Sequence, residues 1–225
     1  MMFEGKTVLV TGGTRGIGRQ LTKDFIEQGA KVIATSTGTL NFLNEESVQS
    51  FLKSIKDTSI DICINNAGIN EVKPFCETSD EAWDDILEVN LTGAYKISKA
   101  VLGGMASRGY GRIVNVASIW SHKSRVGRAA YSASKFGLRG LTQAVAAEAA
   151  SQGVLVNSVS PGFTMTDLTK KILGKDGIRE VEASIPLGRL ATPKDISNVV
   201  LFLSSDLNSY ISGQDIVVDG GFMNV

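Results

Sequence analysis

The chain has 225 residues, 43% of them hydrophobic and 20% charged, with 23 basic side chains balanced by 23 acidic ones. That length suits one α/β domain, and a net charge of zero gives no argument for nucleic acid or an anionic membrane as partner. Cys63, in an apolar run, and Cys76, in a polar one, are too few for a disulfide framework and form no CxxC or Cys/His cluster, so no metal and a reducing, cytoplasmic setting are expected.

In chain order, the opening MMFEGKTVLV has acidic Glu4 and a short apolar run, which is not a signal-peptide pattern, and no later run is long enough to span a membrane. Residues 6–11 (KTVLVT) read as a buried strand, 16–29 as a helix closed by Gly29, and 31–36 (KVIATS) as a second strand. TSTGTLNFLN (35–44) then stands where a parallel sheet needs a crossover of a dozen or more residues, and Gly38 and Leu40 leave no room for one. A helix at 45–56 and a strand at 60–65 follow. TSDEAW carries capping residues and acids suited to a helix start near Asp80, running with a break near Gly93 to about Ser107. Next come a strand (111–118), a long helix (131–153), a strand (154–160), a mixed apolar and charged segment (164–192), a helix (193–205) and a last strand (215–221). Strands without regular alternation are buried on both faces, and helices between them imply parallel pairing. The expected fold is a single-domain α/β, Rossmann-like doubly wound parallel sheet over residues 1–225.

VLVTGGTRGIG sets Gly12, Gly16 and Gly18 between strand and helix, with Thr14, Arg15 and Ile17 among them. Glycines let the backbone approach a pyrophosphate, and the helix start offers N–H groups and a positive dipole end. An ordinary strand-to-helix turn would look similar. The second strand ends Ala34-Thr35-Ser36-Thr37, without the carboxylate that would accept from the ribose 2′-OH of NAD. With Arg15 in the turn to meet a phosphate, NADP(H) is expected over NAD(H).

NNAG (65–68) ends one strand, Ser118 ends the next, and Tyr131-Ser-Ala-Ser-Lys135 opens the following helix. Tyr131 and Lys135, four apart, share a helix face. Strand carboxyl ends and the helix starts after them converge on the ligand crevice of such sheets, so Ser118, Tyr131 and Lys135 are expected to meet there. An unperturbed phenol has a pKa near ~10, and a neighbouring ammonium favours its ionised form.

TGGTRGIG, NNAG, Asn90 in VNLTGAY, Ser118, YSASK and SPGFTMT (160–166) together resemble the short-chain dehydrogenase/reductase family from residue 3 to residue 222, and most of all its bacterial 3-oxoacyl-(acyl-carrier-protein) reductases of fatty acid biosynthesis. The resemblance implies Tyr131 as general acid in reduction and base in oxidation, and Lys135 as its tuner and ribose anchor. It implies Ser118 as holder of the substrate oxygen and Asn90 as positioner of a water. Asn66, Ala67 and Gly68 would border the cofactor, with Pro161 and Gly162 beside the nicotinamide and Thr164 and Thr166 reaching its carboxamide or the phosphates. Thr35, Ser36 and Thr37 would face the ribose, and Asn41-Phe42 would replace the family's Asp-hydrophobic pair near the adenine. About eighteen residues before that pair are missing: the crossover helix is expected to be lost and the third, edge strand shortened or missing, so six strands are expected and the adenosine edge is cut while catalysis survives.

The resemblance also makes 164–190, with Leu168, Ile172, Leu173, Ile178, Val181, Ile185, Lys170, Lys171, Lys175 and Arg179, a mobile lid; a surface helix pair is the alternative. Trp120 and His122 are candidates for the pocket wall, although a solvated loop suits His122 as well. The basic residues Arg108, Arg125, Arg128, Arg139 and Arg189 could meet an acidic carrier protein, but position 152 is Gln where carrier-protein reductases are often basic. An alcohol or sugar dehydrogenase is therefore a second reading, and a non-catalytic nucleotide-binding regulator a third. Small residues Ala100, Gly103, Gly104, Ala144, Ala147 and Ala150 fall on the helices that pair into homodimers and homotetramers in the family.

Overall fold

The computed structural model describes residues 1–225, apart from the side chains of Leu168 and Ile172. Six strands form one parallel sheet: β1 Thr7–Val10, β2 Lys31–Ala34, β3 Ile62–Asn65, β4 Gly111–Val116, β5 Val154–Pro161 and β6 Asp215–Val218. Their order is β2-β1-β3-β4-β5-β6, parallel throughout. The chain leaves β1 toward β2 and then crosses back over it to β3. The crevice between the carboxyl ends of β1 and β3 is thus the switch point where ligands of such sheets bind.

The helices are α1 Gly16–Glu27, α2 Glu45–Ile55, α3 Asp80–Leu87, α4 Gly93–Arg108, α5 Ala129–Ala149, α6 Asp167–Ala183 and α7 Pro193–Ser204. One face of the sheet is covered by α2, α4 and α5 through Val48, Phe51, Ile97, Val101, Met105 and Ala146. The other is covered by α1 and α7 through Leu21, Phe25, Ile196, Val200 and Leu203. Strands buried on both sides explain the unbroken apolar runs. The expected break near Gly93 is a π turn, Glu88–Thr92, that joins α3 to α4.

Residues 35–44 form no strand and no helix. Ser36 C=O accepts from Thr39 N at 3.0 Å and Leu40 N at 2.8 Å, closing a tight turn, and Asn44 then caps α2. Leu40 and Phe42 plug the core beneath, at 4% and 6% exposure. A Cβ added to Gly93 would lie 2.7 Å from the Phe42 ring, so glycine there makes room for the plug. Phe42, expected beside an adenine, is thus turned inward, because the lost helix and strand leave a hole that an aromatic ring fills.

The 164–190 segment is α6, interrupted at Gly174, whose φ of 63° and ψ of −173° are not helical. Of its apolar residues, Ile185 is a buried core residue against Gly220, while Leu168 and Ile172 lie outside the described side chains. The small residues Ala100, Gly103 and Gly104 on α4, and Ala144, Ala147 and Ala150 on or beside α5, are all exposed and not packed within the chain. No helix of the described residues is long and apolar enough to cross a membrane.

Candidate active site

The glycine turn is built into the sheet's switch point. Gly12 adopts φ +63°, and a Cβ on it would lie 3.1 Å from Ala67 Cα. At Gly18 a Cβ would meet the Gly12 carbonyl oxygen at 2.1 Å, so only glycine lets α1 start this close to β1. Asn66 fastens the turn to β3: its Nδ2 donates to Thr11 O (2.9 Å) and Gly12 O (3.1 Å), and Thr11 Oγ1 accepts from the N–H of Asn66 and Ala67. Thr35 does similar work from β2. Its buried hydroxyl accepts from Gly12 N at 3.2 Å and its carbonyl from Gly13 N at 2.8 Å, so this residue braces the turn. Ser36 is half-buried in the tight turn, Thr37 is exposed, and Asn41 folds its carboxamide back onto Leu43 N.

Helices α2, α3, α6 and α7 each start with a side-chain cap (Asn44, Ser79, Thr166, Thr192) and an acid in the first turn. The start of α1 has neither: its N-cap Arg15 makes no capping bond and no acid follows. Unfilled N–H groups, the positive dipole end and an exposed guanidinium suit an anion, so the residues present fit a dinucleotide's pyrophosphate. Thr14 is exposed and Ile17 half-buried on the same turn. Thr166 closes it from above, with its Cγ2 3.5 Å from where a Gly16 Cβ would lie. A cavity of about 370 Å³ opens there between Gly16, Arg19, Lys23, Thr166 and Lys170.

The catalytic candidates gather at the carboxyl ends of β3 to β5. Ser118 and Lys135 are buried, at 6% and 3% exposure, and Tyr131 is half-buried at the start of α5. The Lys135 Nζ stands 5.6 Å from the Tyr131 ring centroid and donates to Val116 O at 2.8 Å. The π turn aims Asn90 inward. Its Oδ1 accepts from Ile69 N at 2.8 Å, and its Nδ2 donates to Ile69 O (2.9 Å) and Ser134 Oγ (3.1 Å). Gly68 leaves room between these groups, since a Cβ there would sit 3.3 Å from Asn90 Oδ1 and 3.7 Å from Lys135 Nζ. Pro161 ends β5, Gly162 packs on Asp219, and the Thr164 hydroxyl donates to Gly162 O.

Burial governs the protonation of the pair. It pulls Lys135 down to about 8 and lifts Tyr131 above its ordinary value, against the Ser118 hydroxyl and the Arg128 charge, which pull the phenol back down. The sequence points to Lys135 as the cation acting on the phenol. In the cofactor-free chain the opposing charge is that of Arg128, since a desolvated ammonium is itself weakened.

Two networks have no signature in the sequence. Asn65 Nδ2 donates to Asn115 Oδ1 at 2.8 Å and to Ser98 Oγ at 2.9 Å, and Asn115 Nδ2 donates to Thr142 Oγ1 at 2.8 Å, tying β3 and β4 to α4 and α5. Adjacent asparagines on parallel strands at the same register, Asn65 opposite Asn115, were the available hint. His122, expected at a pocket wall or in solvent, instead sits with Nε2 2.7 Å from Asp215 Oδ2 and Nδ1 3.3 Å from Arg139. Asp215 also accepts from Ser121, Ser158 and Ser160. Trp120 is buried against Phe163 and Phe222 with edge-to-face rings. Among the described residues no three His, Cys, Asp or Glu side chains cluster for a metal.

A model described as enoyl-(acyl carrier protein) reductase matches residues 37–223, and one described as short chain dehydrogenase matches residues 6–43. The chain is 41% identical over 241 residues to the 3-oxoacyl-[acyl-carrier-protein] reductase of Vibrio cholerae, covering 98% of each. To that of Escherichia coli it is 38% identical over 245 residues, covering 100% of each, against its own length of 225. Among solved structures it is similar to one described as an NAD(P) dependent gluconate 5-dehydrogenase from Beutenbergia cavernae with bound NADP, at TM-score 0.94, 34% identity and full coverage of both chains. It is also similar to one described as a short-chain alcohol dehydrogenase from Sinorhizobium meliloti, at TM-score 0.92 and 31% identity, covering 100% of this chain and 99% of that one.

Proposed function

The chain belongs to the short-chain dehydrogenase/reductase family and is an oxidoreductase of the CH-OH/C=O class; from that premise we propose that it is an NADP(H)-dependent carbonyl reductase in which Tyr131 gives the proton. When bound, the nicotinamide supplies the hydride. Tyr131 donates its phenolic proton to the oxygen of the carbonyl as negative charge develops there, and takes it back in alcohol oxidation. Ser118 holds that oxygen, with the Trp120 amide bonded to its hydroxyl at 3.2 Å to fix the rotamer. Lys135 anchors the ribose and, once its ammonium has hydroxyl partners, restores the charge that burial weakens. Asn90 fixes the 69–70 backbone beside Lys135 and positions the water that resupplies protons. The observation that carries the reading is the meeting of Ser118, Tyr131 and Lys135 beside a glycine turn left uncapped for an anion.

For the cofactor, Gly12 to Gly18 hold the pyrophosphate, Asn66 to Gly68 and Pro161 to Thr166 flank the nicotinamide side, and Arg15 with the 36–39 turn receives a ribose 2′-phosphate. The absence of a carboxylate at 35–37 supports NADP(H). The named relatives make 3-oxoacyl thioesters the first substrates to try. A second reading, an alcohol or sugar dehydrogenase, is favoured by the descriptions of the similar solved structures and by Gln152. The exposed small-residue faces of α4 and α5 support a homodimer or homotetramer, to be measured by light scattering. NADPH oxidation with a carbonyl panel that includes acetoacetyl-CoA tests the reading. Tight NADPH binding with no turnover of any carbonyl would leave only the nucleotide-binding regulator.

A further inference from the structure

The loop from Ser118 to Tyr131 carries Lys123, Arg125 and Arg128, and no Asp or Glu occurs anywhere between Glu88 and Glu148. In a chain of zero net charge, this concentrates positive charge on the rim between two catalytic candidates. The cations differ in surroundings. Arg125 is exposed, and Lys123 is half-buried with its Nζ 4.3 Å from the centroid of the Phe222 ring. Arg128 is half-buried at the N-cap of α5, three residues before Tyr131.

Most other arginines of the chain have partners. Arg108, Arg112, Arg179 and Arg189 face Asp61, Asp206, Asp176 and Asp195, and Arg139 contacts Ser121 O and His122. Arg128 has no carboxylate within 4.0 Å and no side-chain hydrogen bond among the described residues. Nor does it hang free on a mobile tip. Gly127, at φ +76°, accepts from Lys73 N at 3.2 Å and packs against Val72, which ties the loop to the opposite rim. The Arg128 carbonyl accepts from Ser132 N at 2.7 Å. Partly desolvated charges are held unpaired only at a cost, and proteins keep them where a ligand supplies the counter-charge. Arg128 at the N-cap and Tyr131 three residues on belong to the same first turn of α5, and the Arg128 charge is one of the influences that pull the Tyr131 pKa down.

We propose that Arg128 receives an anionic group of the substrate, a carboxylate carried close to the carbonyl that is reduced, so that the substrates are oxo-acids such as oxidised sugar acids. This rests on the carbonyl-reductase reading of the same site and selects among its substrates. A cofactor phosphate is a poor occupant, because the α1 start and Arg15 serve that charge at the other side of β3. A 3-oxoacyl thioester is neutral beside its ketone and would leave Arg128 unpaired. Arg125, more exposed, then steers the anion inward, with Lys123 adding to the field.

The test measures kcat and KM with NADPH for matched pairs: 5-ketogluconate against fructose, and levulinate against methyl levulinate. The wild-type chain is expected to prefer the anionic member of at least one pair by about 10-fold or more in kcat/KM, the worth of a charge-assisted hydrogen bond. Arg128→Gln is expected to erase that preference chiefly through KM, and Arg128→Lys to keep part of it. The wild-type preference needs no variant and stands even if Arg128→Gln fails to fold. A wild type that prefers the neutral member of every pair, or an Arg128→Gln chain that loses both members alike, overturns the proposal. Turnover of acetoacetyl-CoA with neither acid reduced overturns it too while leaving the reductase reading intact; no turnover of any carbonyl removes both.

Discussion

Ser118, Asn90 and Lys135, at the β4–β5 end of the sheet, are no more than 6% exposed; Asn90 and Lys135 are bonded to backbone of other segments, at Ile69 and Val116, and Ser118 to the Trp120 amide of its own turn. At the β2 end, Ser36 to Thr39 bond mainly to one another, Thr37 and Gly38 face solvent, and a crossover helix and a strand are missing. The two regions serve opposite ends of one dinucleotide but answer to different constraints. A site whose side chains are threaded through the core cannot lose an element without exposing unpaired polar groups. An edge can lose one if something fills the hole, and here Leu40 and Phe42 do. The deletion is therefore placed where the sheet tolerates it.

The largest effect should come from the threaded end. Tyr131→Phe removes the hydroxyl assigned to give the proton, and kcat is expected to fall about 10³-fold or more. NADPH binding, followed by fluorescence, should change little. A variant retaining a tenth of wild-type turnover would mean that the proton comes from elsewhere and that this end is scaffold only.

Phe42→Ala probes the other region. If the ring is a plug, the loss is one of stability, about 3–5 kcal/mol as for a buried aromatic, with cofactor affinity changing in step with the folded fraction. If the ring instead holds an adenine, NADPH affinity falls while the denaturation midpoint stays in place.

Lys135 shows what the threaded site costs. Burial holds its folded value near 8 against an ordinary 10.5. Between those two values the unfolded chain carries a proton that the folded one has released, so stability of the cofactor-free chain should rise with pH across that window and stay flat below it. Tyr131, held above its ordinary value of 10.0, works in the opposite direction only at higher pH. Lys135→Met should abolish the slope and stabilise the empty chain by about 1–3 kcal/mol while destroying turnover. A destabilised Met variant would show that the ammonium is well solvated in its pocket after all.

The same contrast explains what was legible beforehand. Strand and helix periods, the glycine turn and the short 35–44 link are local patterns, and the six parallel strands follow from them. The Ser118, Tyr131 and Lys135 meeting follows from topology, because all three sit at strand ends or helix starts on one edge of the sheet. What stayed hidden depends on side-chain direction. Phe42 turning inward, Thr35 bracing Gly12, the Asn65–Asn115–Thr142 relay and His122 facing Asp215 all involve partners that are distant in sequence. No period or spacing encodes which way a loop residue points, and the charge felt by Tyr131 came from Arg128, a residue with no motif at all.

The smallest effect expected is also the one that tests whether the trimmed edge still discriminates between cofactors. Arg15 is exposed and makes no capping bond, and the second strand runs out into the 36–39 turn without a carboxylate. An exposed guanidinium meeting one phosphate in a solvated cleft contributes about 1–1.5 kcal/mol after screening, or roughly 10-fold. Arg15→Gln should therefore raise KM for NADPH about that much, leave KM for NADH where it was, and lose its effect as salt is raised. A chain in which both cofactors weaken together would mean that Arg15 serves the pyrophosphate and that the edge, once cut, no longer distinguishes NADP(H) from NAD(H).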